Sequence, residues 1–169
     1  MDGSATPGRR RLVHMIWLCG PLVLWLAVVA VASTDIASEA HTKAWLVSFI
    51  HLFARGYGAG SSGSSSGLGA LMWAIRKTAH VIEYGVLGFL LARGVKGLFP
   101  GYARGAGREL LGRIALGVLP CGLLVALADE FHQTLVRSRM GSPRDVAFDL
   151  VGLSLGVLTA WLVWRRDGA

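Results

Sequence analysis

The sequence predicts an all-α membrane protein: a four-helix transmembrane bundle with an extra amphipathic interfacial helix in its first outer loop. Three observations lead there. The 169 residues are 53% hydrophobic with a mean hydropathy of +0.54, an excess that a soluble domain of this size does not need. Four apolar runs, at about 12–32, 71–95, 110–133 and 146–164, approach the roughly 20 residues that a span requires. The ionisable residues beside these runs gather into two short stretches at their ends.

Residues 1–11 read as a short polar tail, and 12–169 as one transmembrane domain. Arg9-Arg10-Arg11, an apolar run and Ala30-Val31-Ala32 imitate a cleaved signal peptide. The run exceeds the usual apolar core of about 7–15 residues, so a retained first helix is the better reading. Pro21 lies inside it, as membrane helices tolerate. The next apolar centre, Ala44–Ala54, is too short to span. Its Trp45, Phe49, Leu52 and Phe53 recur at helical spacing, the pattern of a helix lying along the interface. Residues 56–69 contain Gly60-Ser61-Ser62-Gly63-Ser64-Ser65-Ser66-Gly67. That composition is a flexible linker, and it lacks the lysine of a phosphate loop.

The second helix follows and ends before the Gly101–Gly107 break on the inner side. The third carries Pro120, and a short turn over Val136–Pro143 leads into the fourth. Cys19 and Cys121 fall inside spans and read as inert thiols rather than a disulfide.

The net charge of +7 points to lipid rather than nucleic acid, because of where it sits. With the N-terminus inside, the inner segments hold ten of the seventeen basic residues and three acids, Asp2, Glu109 and Asp167. The outer side holds seven of each sign. Basic loops stay cytoplasmic, so both termini are expected in the cytoplasm of a bacterial cell, with the chain multi-pass in its cytoplasmic membrane. The basic surplus then faces anionic inner-leaflet lipid.

The two polar stretches are Lys77, His80, Glu83 and Tyr84, and then Asp129, Glu130, His132, Gln133, Arg139, Arg144, Asp145 and Asp149. Ionisable groups at membrane depth are costly and are functional candidates by default. Lys77 to Ala92, and Arg113 to Asp129, each span about 24 Å of helix at about 1.5 Å per residue. Arg93 and Arg113 mark the inner boundary, so Lys77, Asp129 and Asp145 all reach the outer one. In an up-down bundle the two stretches therefore meet at one level. Glu83 lies about 10 Å deeper than Arg76, and Asp149 about 6 Å deeper than Asp145. Gly152 and Gly156 form a small-xxx-small pair in register with Asp145 and Asp149, which turns that stripe toward the bundle. Lys77 with Glu83 or Asp129, and Arg139 or Arg144 with Asp145, are the expected ion pairs.

Arg76-Lys77-Thr78-Ala79-His80-Val81-Ile82-Glu83-Tyr84 resembles the first motif of the VanZ-like family. Asp129-Glu130-Phe131-His132-Gln133, followed by Arg139, Gly141-Ser142, Arg144-Asp145 and Asp149-Leu150-Val151-Gly152, resembles its second. The resemblance covers roughly the whole chain. One departure is visible: Arg137-Ser138-Arg139 stands where the family often has Pro-Gly-Arg. The resemblance implies a small multi-span protein related to a founding member associated with teicoplanin resistance, and no settled biochemical mechanism.

Three functional readings remain open. The first is an outer-facing pocket for a cell-envelope ligand such as a cell-wall precursor or glycopeptide, in which Lys77, Arg139 and Arg144 engage phosphate or carboxylate. The second is a membrane enzyme acting on a lipid-linked precursor, with His80 or His132 and Glu83, Asp129 or Glu130 as acid and base; no nucleophile motif accompanies them. The third is a purely structural network fixing helix register. No cofactor and no metal site are expected, since the histidines lack ligand spacing.

Overall fold

The computed structural model describes residues 7–34, 48, 65–101, 107–136 and 142–165. The expected interfacial helix over 34–55 falls almost wholly outside the described residues, as does the 56–64 part of the expected linker. Four helices make up the described chain: α1 (Pro7–Ala32), α2 (Ser65–Leu98), α3 (Gly107–Leu135) and α4 (Pro143–Trp164). Three of them, α1, α3 and α4, are long and apolar enough to cross a membrane. The fourth, α2, is the longest at 34 residues. Arg76, Lys77, Glu83, Arg93 and Lys96 break its apolar character.

Helix boundaries shift from the hydropathy reading for local reasons. Pro7 and Pro143 each open a helix, where a residue without an N–H costs nothing. Ser142 completes the start of α4. Its backbone is extended (φ −135°, ψ 117°), and its hydroxyl accepts from the Arg144 N–H. Helix α2 begins at Ser65, so the last residues of the expected linker are helical.

The cross-helix contacts give the topology. Trp17 meets Arg93 and Trp25 meets Glu83, so α1 runs antiparallel to α2. Ser33, at the end of α1, meets His132, near the end of α3. Lys77 meets Asp145, His80 meets Asp149 and Lys96 meets Trp164, so α2 and α4 run parallel. The order is up, down, up, down, and α2 packs most extensively against α4.

Glycine makes the α2–α4 pair close. A Cβ at Gly152 would stand 2.5 Å from the Val81 carbonyl oxygen, and one at Gly88 2.5 Å from the Leu153 carbonyl oxygen. At Gly156 it would overlap the Gly85 carbonyl. Lipid tails are as apolar as leucine, so such close packing, rather than release of water, holds helices together in a bilayer. Two apolar clusters fill the interior. One joins Val29, Tyr84, Leu87, Ala126 and Leu153. The other joins Ala92, Leu110, Ile114, Val118, Val157 and Ala160. The outward faces carry Leu12, Ile16, Trp17, Leu24, Leu116, Leu124 and Leu155, the surface that a lipid solvent requires.

Pro21 leaves a backbone consequence that another helix repairs. Without an N–H it cannot donate to the carbonyl of Trp17, one turn earlier. The Arg93 guanidinium donates to that carbonyl instead, at 2.5 Å.

Candidate functional site

The up-down topology brings the beginnings of α2 and α4 level with the ends of α1 and α3, and both polar stretches land in this layer. Asp145 is buried and takes two cations from α2: Lys77, in direct contact, and Arg76, at 3.6 Å. One turn deeper, His80 Nδ1 lies 2.9 Å from a carboxylate oxygen of Asp149, a residue with 0% exposure. The ammonium of Lys77 also lies 5.2 Å from the ring centre of Phe148, against which Trp73 packs edge-on.

Helix α3 supplies the other wall. Gln133 donates its amide to Asp129 at 2.9 Å, across one turn. Glu130 accepts the N–H of Ser142 and so ties the end of α3 to the start of α4. His132 is exposed and bonds through Nδ1 to the Ser33 hydroxyl, at 2.9 Å. Tyr84 is fully buried beside the carboxylates of Asp129, Asp149 and Glu83. The Trp25 indole donates to the Glu83 carbonyl at 2.9 Å. Among the described residues, Glu130 Oε2, Gln133 Oε1 and Asp149 Oδ2 are buried oxygens without a hydrogen-bond partner. In most proteins such atoms are satisfied, and each exception calls for a reason.

The geometry divides the polar layer in two. Between α2 and α4, Arg76, Lys77, His80, Asp145 and Asp149 form a run of cross-helix pairs. Between α1, α2 and α3 lies a recess of about 270 Å³. Val29 and Ala32 of α1 and Met72, Trp73 and Ile75 of α2 give it apolar walls. Lys77, His80, Glu83, Asp129 and Gln133 line its polar side.

Lys77 therefore pairs with Asp145 across the α2–α4 seam, a pairing that the sequence reading does not name. Helix α4, not α3, lies along the Lys77 face of α2. Arg144 is exposed, since it precedes Asp145 by one position and projects about 100° away from it around the helix. Arg139 lies outside the described residues. Arg76, Ser142, Ser33 and Trp25 join the network in addition to the site residues that the sequence singles out. Arg76 is signalled by its neighbour Lys77, and Ser142 by the Ser-Pro pair that opens a helix. Nothing in the sequence marks Ser33 or Trp25. Among the described residues, no three His, Cys, Asp or Glu side chains are placed to hold a metal ion.

A family model described as VanZ/LLP1 matches residues 18–164. The chain belongs to the VanZ/LLP1 family. It is a multi-pass membrane protein, and its spans place it in a lipid bilayer. Neither curated proteins nor solved structures give a match to this VanZ/LLP1 chain. The match takes in α2, α3, α4 and most of α1, and so both halves of the polar layer.

Proposed function

We propose that this VanZ-like protein binds a cell-envelope amphiphile in the recess between α1, α2 and α3, on the outer side of a bacterial cytoplasmic membrane. All four helices span in this reading, α2 included, and both termini are cytoplasmic. The observation that carries it is the composition of the recess. Its Val29, Met72, Trp73 and Ile75 walls suit an acyl chain. Its Glu83, Asp129 and Gln133 side suits a hydrogen-bonding headgroup. Lipid-linked cell-wall precursors and lipoglycopeptides combine these two parts, and glycopeptide tolerance follows if the bound ligand is withheld from its target.

The α2–α4 half of the layer has a different role. Lys77, Arg76 and His80 are committed to Asp145 and Asp149, so they fix helix register and orient the recess instead of meeting the ligand directly.

A deletion strain profiled against cell-wall antibiotics, then complemented with variants, tests the proposal. Asp129→Asn and Glu83→Gln should accumulate in the membrane at the wild-type level and fail to restore the profile. Full complementation by both would end the ligand-binding reading.

A further inference from the structure

We propose that the recess selects amphiphiles whose polar end is a primary amine, an inference that rests on the binding reading above. Charge around the recess is distributed unevenly. Its two described cations, Arg76 and Lys77, both reach Asp145 on the side of α2 that meets α4. His80 is likewise held by Asp149. Asp129 lines the opposite wall, and its described neighbours are neutral: the Gln133 amide, which donates to it, and the Tyr84 hydroxyl beside it.

Gln133 gives the second observation. It is 1% exposed and lines the recess, and its amide oxygen has no hydrogen-bond partner among the described residues. With its nitrogen turned to Asp129, that oxygen needs a donor. Among the described residues, the polar side of the recess thus presents a carboxylate with neutral neighbours and a buried acceptor with nothing to accept. Glu83 adds a second carboxylate to the same lining.

A primary ammonium group meets these requirements together. It brings one positive charge and three N–H donors in tetrahedral array, enough for Asp129 and Gln133 at once. An alcohol brings one donor and no charge. A phosphate brings negative charge against two carboxylates and fills no acceptor. A quaternary ammonium brings charge without a donor. The apolar walls then take the chain, with Trp73 beside it.

The test uses the purified full-length chain in phosphatidylcholine nanodiscs and a long-chain primary alkylamine carrying a dansyl group at its far end. Energy transfer from tryptophan reports occupancy. Unlabelled competitors of equal chain length carry an amine, a trimethylammonium, an alcohol or a phosphate. The amine should displace the probe at concentrations about tenfold below the other three. In Asp129→Asn the amine and the alcohol should come within about twofold of each other. Equal displacement by all competitors, or preference for the phosphate, would overturn amine selection while leaving amphiphile binding intact. No binding by any probe would overturn both. Energy transfer unchanged in Trp73→Phe would place the probe elsewhere and overturn the assignment. The competitor series on the wild-type chain decides the matter even if Asp129→Asn fails to fold.

Discussion

Replacing Arg93 with methionine keeps the apolar stem of the side chain and deletes the only donor seen for the Trp17 carbonyl among the described residues. Pro21 has no N–H for that carbonyl, and the guanidinium stands 2.5 Å away. A hydrogen bond involving a charged partner contributes about 1.5–3 kcal/mol in a protein interior. Arg93 is half-buried and interhelical bonds in membranes average less, so about 1 kcal/mol is expected. For a chain of this length that corresponds to a fall in Tm of about 2–4 °C. Pro21→Ala restores a donor within α1 and should make the arginine redundant. Arg93→Met should then cost close to nothing in the Pro21→Ala background, giving a coupling energy of about 1 kcal/mol. Thermal unfolding of the four proteins in one mild detergent, followed by tryptophan fluorescence, measures the cycle. Equal losses in both backgrounds would show that Arg93 supports the fold by some route other than the proline gap.

Other expectations concern the α2–α4 seam and the α3–α4 junction. Lys77→Met alone should destabilise by up to about 3 kcal/mol by leaving buried Asp145 with only the more distant Arg76, whereas Lys77→Met with Asp145→Leu should recover most of the loss; unfolding midpoints that simply add would refute this. Gly156→Leu places a side chain against the Gly85 backbone, which has no rotamer by which to retreat, and should cost at least about 1–3 kcal/mol. Gly112→Ala, with open space around its would-be Cβ, should be neutral or stabilise by about 0.5–1 kcal/mol in the same unfolding assay. Ser142→Ala removes the cap of α4 and should cost about 1 kcal/mol, read as a lower Tm.

Much of the polar layer is legible in the amino-acid sequence. Rise per residue sets Lys77, Asp129 and Asp145 at one level. The i, i+4 spacing of Gly152 and Gly156 with Asp145 and Asp149 identifies the face of α4 that turns inward, and all four are buried. Which partner each charge takes is not legible there. Lys77 chooses Asp145 because α2 and α4 are parallel neighbours, and adjacency is a property of packing that no single-helix periodicity encodes. The role of Arg93 is hidden for the same reason: it follows from a proline 72 positions away in sequence and one helix away in space. The separation of an ion-pair seam from an open recess likewise depends on which face of α2 each neighbour covers.

The parallel pairing of α2 with α4 also bears on how the protein is made. During synthesis α2 leaves the ribosome with Arg76, Lys77 and His80 before Asp145 and Asp149 exist. Its counter-ions arrive only after α3 has been completed. Until then α2 is the helix least at home in lipid, so its final seating is an event of late assembly rather than of stepwise insertion. A chain cut short before α4 leaves that seam open, with Arg76, Lys77 and His80 lacking the carboxylates that hold them in the finished bundle. The same charges that hold the finished bundle in register thus mark an unfinished one.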